Sequence, residues 1–247
     1  TANSDHHRKH DAWFLSESPS FKGDESVLDL GCGNGDFTKL LADQVPRGEV
    51  IGLDASADLL DHAAGLRSPR VSFRQVDFQH LSEAFASSDE FDVIVSRAAL
   101  HWLPAIEHPR LLQSVRDLVS QTGWVQLEFG GAGNISRMYK MLASASENHG
   151  GITRPWYFPD AGEYLELCET AGLVGSVRTV AQRREFSSEG ILGWMRSQGF
   201  QAFEASLGPR YSDFVAEAEQ RVDEVRRSDG SFDLTYVRLV ATLQHGS

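Results

Sequence analysis

The chain has 247 residues, 41% of them hydrophobic and 23% charged, so it can bury the core of a large soluble domain. No apolar run approaches the roughly 20 residues needed to span a bilayer, and the polar, histidine-rich start (Thr1 to His10) reads as no secretory signal. A net charge of −12 repels nucleic acid and anionic membranes on average, though it leaves room for a local basic pocket.

Cys32 and Cys168 lie far apart and form no CxxC pair. They give no zinc signal, and they read as reduced thiols of a cytoplasmic protein. Residues 5–18 predict a short helix whose apolar end (Trp13, Phe14, Leu15) packs on the domain. His6, His7 and His10 read as a solvated helix end, since a metal site would need partners that the sequence does not supply.

A first strand is expected over 27–30, and it feeds a turn containing Gly31, Gly33 and Gly35. A helix follows over 36–44. Val50 to Leu53 is a second short apolar run and ends at Asp54. Residues 56–66 predict a helix with Ser56 as N-cap. A third strand over 71–76 ends at Asp77, and a short helix is expected over 80–86. The fourth strand, 91–95, ends at Ser96 and Arg97. A helix over 107–120 and a fifth strand over 123–129 come next.

Beyond residue 130 the pattern changes. Helices are expected over 134–149, 160–171, 188–199 and 210–227. A sixth strand covers 174 to about 180 and continues irregularly toward Phe186, and the last strand covers 234–243. Strands alternating with helices imply a parallel sheet covered on both faces. The chain therefore reads as one α/β domain over 1–247. Its core spans about 20–130, 172–186 and 232–245, with helical lid segments at about 1–18, 131–160 and 187–228.

Ligands of such sheets bind at the carboxyl ends of the strands, near the switch in strand order. Asp54, Asp77 and Ser96 all fall at that edge, beside the glycine loop at 31–35. Asp29, just before the loop, can accept hydrogen bonds from an ammonium group or from loop amides. Asp54 follows Gly31 by 23 residues, a spacing suited to a carboxylate that takes both ribose hydroxyls. Asp77 is placed to accept from an exocyclic amine while Phe78 covers a flat ring. A nicotinamide dinucleotide would prefer G-x-G-x-x-G, whereas the spacing here is G-x-G-x-G. Asp36 at the helix start disfavours a pyrophosphate and tolerates a cofactor carrying positive charge.

Leu28-Asp29-Leu30-Gly31-Cys32-Gly33-Asn34-Gly35 resembles the first motif of the class I S-adenosylmethionine-dependent methyltransferases. Ile51-Gly52-Leu53-Asp54-Ala55-Ser56 resembles their second, and Val76-Asp77-Phe78 and Phe91 to Ser96 follow in the family's order. The resemblance implies a Rossmann-like, seven-stranded, mostly parallel sheet with the last strand antiparallel. It also implies S-adenosyl-L-methionine as cofactor and S-adenosyl-L-homocysteine as product. Asp29, Gly31, Cys32, Gly33, Asn34, Gly35 and Ser96 would lie near the methionine part, Asp54 and Ala55 at the ribose, and Asp77 and Phe78 at the adenine.

A narrower resemblance runs through Ala98-Ala99-Leu100-His101-Trp102-Leu103-Pro104, Tyr157-Phe158-Pro159 and Tyr236-Val237-Arg238-Leu239. These segments are similar to the small-molecule group that includes trans-aconitate and juvenile hormone acid methyltransferases. They imply a small-molecule acceptor rather than nucleic acid, and O-methylation of a carboxylate or hydroxyl. N- or C-methylation, or a non-methylating activity such as cyclisation, are the alternatives. His101 is the candidate base, or else packs beside Trp102 without proton transfer. Trp102, Trp156 and Tyr157 are candidates for the substrate walls, or for plain packing. Arg154 is a candidate partner for an acceptor carboxylate, or a solvated loop residue.

Overall fold

The computed structural model describes residues 2–246, with side chains from Lys9 onward. The side chains of His6 and His7 lie outside the described residues. In chain order the elements are α1 (Ala2–Glu17), β1 (Ser26–Leu30), α2 (Asp36–Gln44), β2 (Glu49–Asp54), α3 (Ala57–Ala63), β3 (Val71–Gln75), β4 (Phe91–Arg97), α4 (His108–Leu118) and β5 (Val119–Gly130). Then come α5 (Ser136–Asn148), α6 (Ala161–Thr170), β6 (Leu173–Phe186), α7 (Ser188–Trp194), α8 (Gln201–Leu207), α9 (Tyr211–Gln220) and β7 (Phe232–His245).

The strands form one sheet in the order β3-β2-β1-β4-β5-β7-β6, in which only β7 is antiparallel. Along β1 the registers are Leu30↔Leu53 of β2 and Leu30↔Ser96 of β4. The strand order reverses between β1 and β4, so the loops after these two strands flank the crevice where such sheets take ligands. Toward the other edge, Gly131 N–H donates to Val237 O and Gly246 N–H donates to Gly172 O, across the antiparallel pairs.

Several boundaries differ from the sequence reading. β4 runs on through Ser96 and Arg97 because both pair with β5. β5 starts at Val119 rather than 123: Val119 pairs with Phe91, the chain bulges opposite Asp92, and Trp124 resumes the ladder with Val93. The helix expected over 80–86 is a 3-10 turn at Phe78–Glu83, started two residues early by Asp77, whose carboxylate caps Gln79 N–H at 3.0 Å.

β6 is a continuous strand to Phe186. The helix expected over 188–199 ends at Trp194 and continues as a π-turn, Met195–Gly199. Helix α8 was not anticipated, although Phe200, Phe203 and Leu207 carry the spacing of one buried face. The stretch 210–227 is α9 followed by a 3-10 turn at Val222–Val225.

The chain divides into two compact units. The first comprises Thr1–Phe129, Asp160–Arg178 and Leu239–Ser247, and the second Gly130–Pro159 and Thr179–Arg238. In the first, Val27, Val93 and Val95 of the strands pack against Phe37 and Leu41 of α2 and Phe14 of α1. Phe14 meets Phe37 edge-on at 5.2 Å, so the apolar end of α1 is part of this core. Burying a side chain of the size of Leu41 fully is worth about 1.5–3 kcal/mol. In the second, Trp156, Trp194, Phe200, Phe203 and Phe214 form a separate aromatic core.

Candidate active site

The site is built from the carboxyl ends of β1 to β4. After Leu30 the backbone turns sharply, and Gly31, Gly33 and Gly35 all adopt positive φ (76°, 56° and 81°). Each glycine has its own reason. A Cβ on Gly31 would meet the Ala99 methyl at 2.2 Å, and one on Gly35 would meet the Phe73 ring at 2.7 Å. A Cβ on Gly33 would meet no protein atom within 4 Å. Gly33 instead borders open space, and its bare backbone lets a ligand approach.

Two backbone bonds tether the loop to β2: Gly31 N–H and Cys32 N–H both donate to Leu53 O, at 2.8 and 2.9 Å. The third tether is a side chain. Asp54, the last residue of β2, accepts from Gly33 N–H at 2.8 Å through Oδ2 and from Ser56 N–H at 2.9 Å through Oδ1. Ser56 in turn caps α3.

These elements enclose a cavity of about 400 Å³, lined by Gly31, Gly33, Asp54, Ala55, Asp77, Phe78 and, on the β4 side, Ala98 to Pro104 in part. Seven residues proposed from sequence are thus brought together on one concavity: Gly31, Gly33, Asp54, Ala55, Asp77, Phe78 and Trp102. Leu59, Gln79, Ala98, Ala99, Leu103 and Pro104 also line it; none of them has a site role in the sequence reading, although the last four lie in the segment that carries the narrower resemblance. Ala98 and Ala99 carry a readable signal, because they sit in the segment after β4. Ala98 takes a positive φ of 55°, which lets Ala98 N–H bond Glu128 O at 2.7 Å and turns the chain onto the cavity.

The remaining loop residues face elsewhere. Asp29 is 1% exposed and accepts from the Thr38 hydroxyl at 2.7 Å. Burial pushes its carboxyl up to about 6, against the opposing pull of that hydroxyl and of Arg97. The Cys32 thiol points into the core beside Gly52 and Phe73 and is pushed well up by burial. Cys168 is also free and buried, pushed up to about 12, so neither thiol is an activated nucleophile. Asn34 is exposed and bonds Asp36 at 2.8 Å. Ser96 is buried within β4, and its hydroxyl donates to Leu30 O at 2.8 Å, fixing β4 to β1 below the loop.

Under the same edge lies a buried polar cluster. Arg97 pairs with Asp11 at 3.1 Å, bonds His10 at 3.2 Å and covers the Phe37 ring at 4.7 Å. His10 stands 3.1 Å from the buried Glu128 of β5. α1 is therefore anchored by charge as well as by Phe14.

Of the acceptor-side candidates, Trp102 is 47% exposed at the cavity. His101 is half-buried, with its ring 5.4 Å from that of Trp102. Trp156, Tyr157 and Arg154 belong to the second unit. Trp156 is buried there, stacked 5.9 Å from Phe158 and edge-on to Phe203, while Tyr157 is half-buried and Arg154 exposed.

Residues 27–123 match the family described as a methyltransferase domain. A trans-aconitate 2-methyltransferase of Deinococcus radiodurans is 33% identical over 186 residues, 69% of this chain and 67% of that protein. Among solved structures, a Bacillus halodurans chain put forward as a methyltransferase superposes with a TM-score of 0.66 at 18% identity, covering 96% of this chain and 99% of the other. The phosphoethanolamine N-methyltransferase 2 of Haemonchus contortus, solved with S-adenosylhomocysteine, gives 0.60 at 15%, covering 97% and 53%. These two structures share the fold, and the curated relative shares sequence along two thirds of its length. The chain belongs to the S-adenosylmethionine-dependent methyltransferases.

Proposed function

We propose that this methyltransferase O-methylates a small carboxylic acid. The observation that carries the reading is the 33% identity to a trans-aconitate 2-methyltransferase over most of both chains. The net charge of −12 agrees with a small acceptor rather than a nucleic acid. Among the described residues no helix is long and apolar enough to cross a membrane. With two free, buried thiols, that agrees with a cytoplasmic enzyme.

The cavity fits the cofactor. Gly33 presents backbone with no Cβ in the way, Asp54 keeps lone pairs for ribose hydroxyls beyond its two backbone bonds, and Asp77 and Phe78 offer an acceptor and a ring face to the adenine. The loop at 31–35 would seat the methionine end. When bound, S-adenosylmethionine supplies a methyl group on a positively charged sulfur. The protein's part is to hold a carboxylate oxygen about 3–3.5 Å from that methyl carbon, in line with the departing sulfur, and to keep water out. A carboxylate needs no base, so on this reading His101 packs against Trp102, which lines the cavity, rather than moving a proton.

The test is a panel of small carboxylic acids, each matched with its amide and its amine analogue, incubated with methyl-labelled cofactor. Label that is released by mild alkali from the acids alone supports an ester product. Label in alkali-stable products from the amines overturns the reading in favour of N-methylation.

A further inference from the structure

The β4 side of the cavity is walled by a stretch with little regular structure. Leu100–Trp102 and Ala105–Glu107 are single 3-10 turns, closed by Leu103 N–H on Leu100 O and by Glu107 N–H on Pro104 O. Trp102, Leu103 and Pro104 line the cavity. Trp102 and Ile106 are exposed, whereas Leu100 and Leu103 are buried, so the stretch is anchored from beneath. The Leu103 carbonyl falls between the two turns, and a buried carbonyl is costly without a donor.

That donor is a side chain. Nε2 of His108, the first residue of α4, lies 3.3 Å from Leu103 O, and Nδ1 lies 3.2 Å from the hydroxyl of Tyr164 in α6. All three residues belong to the first unit. His108 and Tyr164 are fully buried, with their rings edge-on at 5.6 Å and the Phe129 ring 5.8 and 5.0 Å from the two. A carbonyl only accepts, so Nε2 carries the ring's proton; Nδ1 then offers a lone pair, and the phenol donates to it. Burial lowers the imidazole to about 4, against the opposing pull of the Leu103 and Leu100 carbonyls. The ring is therefore neutral near pH 7, and the bonds run one way, from Tyr164 through His108 to Leu103.

We propose that His108, oriented by Tyr164, is a positioning residue for this wall: through the Leu103 carbonyl it holds Trp102, Leu103 and Pro104 against the ligand in the cavity. This rests on the reading of the cavity as the cofactor's. His108 does not line the cavity itself and acts through the backbone it holds. Tyr164 sets the tautomer, since without its hydroxyl nothing in this chain of bonds keeps the proton on Nε2.

The experiment uses the full chain, with S-adenosylhomocysteine as probe in calorimetric titration, thermal melts, and nitrogen NMR of labelled histidine. His108→Leu removes both bonds and is expected to raise the Kd by about tenfold. His108→Gln loses the ring as well, but its amide N–H stands in for Nε2–H, so its Kd should stay within about threefold of wild type even where its melting temperature falls. Tyr164→Phe keeps both rings and should raise the Kd by about two- to fivefold, while the His108 signal changes from the Nε2–H tautomer to a mixture. Should His108→Leu fail to fold, Tyr164→Phe and the tautomer decide. A His108→Gln variant that binds as weakly as His108→Leu, or binding that simply follows melting temperature across the series, makes His108 a packing residue and overturns the proposal. So does a protonated Nδ1 in the wild type. Asp54→Ala separates the two readings. If it weakens binding while His108→Leu does not, the cavity remains the cofactor's and only the role of His108 falls. If the wild type does not bind, or Asp54→Ala binds as tightly as wild type, both fall.

Discussion

The N–H of Gly33 donates to Oδ2 of Asp54 at 2.8 Å. The residue expected from sequence to hold a ribose therefore also holds the loop on which the methionine end of the cofactor would rest. The other oxygen of Asp54 is committed to Ser56 N–H, so the carboxylate spans the glycine loop and the start of α3. Loss of Asp54 would loosen both walls of the site and, on the proposed reading, remove a contact to the cofactor.

Asp54→Ala is accordingly expected to weaken S-adenosylmethionine binding by roughly 10- to 100-fold, the loss of one or two charge-assisted hydrogen bonds. Asp54→Asn retains an acceptor for one of the two N–H groups and should lose less. Calorimetric titration checks this ordering, and equal affinity in the three proteins would remove Asp54 from the cofactor site.

Gly33→Ala and Gly31→Ala separate ligand space from protein space. At Gly33 the added methyl meets no protein atom, so the variant should fold with a backbone strain of about 1–2 kcal/mol while cofactor affinity falls sharply. At Gly31 the methyl collides with Ala99, so stability and affinity should fall together. Thermal melts with and without S-adenosylhomocysteine distinguish the two patterns.

Asp29 makes stability depend on pH in an unusual direction. Its folded carboxyl titrates near 6, above the ordinary aspartate value, so the folded state binds the proton more tightly than the unfolded chain. Its contribution is neutral below about pH 4 and grows unfavourable as pH rises toward 6. Asp29→Asn keeps an acceptor for Thr38 and should gain up to about 3 kcal/mol on wild type above pH 6, with little difference near pH 4. Urea unfolding across this range reads the gap directly, and a gap that widens toward acid would contradict the assignment.

His101→Ala should lower kcat by less than about tenfold on a carboxylic acid, since no proton has to leave the acceptor. A loss of a thousandfold with unchanged cofactor affinity would make His101 a base and point to a hydroxyl acceptor.

Much of the sheet and of the cavity lining was legible because its signals are local. Ser56 as a cap, the start of α2 at Asp36 and the row Gly31, Gly33, Asp54, Asp77 and Phe78 each follow from a few adjacent residues. Ser96 reads from sequence as following the apolar run of the fourth strand, whereas the β5 ladder carries β4 through it, because where a strand ends is decided by its neighbour. The pairing of His10 with Glu128 and of His108 with Tyr164 joins residues far apart in sequence, and no spacing rule connects them. Helix α8 and the π-turn before it lie in a stretch where Gly199, Gly208 and Pro209 interrupt the apolar period, so the register of each short piece emerges only from the core they share.

The most direct measurement is mass spectrometry of trans-aconitate after incubation with the enzyme and trideuteromethyl-labelled S-adenosylmethionine. The account predicts a single labelled methyl on a carboxyl oxygen, removed by mild alkali, together with stoichiometric S-adenosylhomocysteine. Unchanged trans-aconitate and unlabelled relatives of it, beside alkali-stable label on another acceptor, would contradict it.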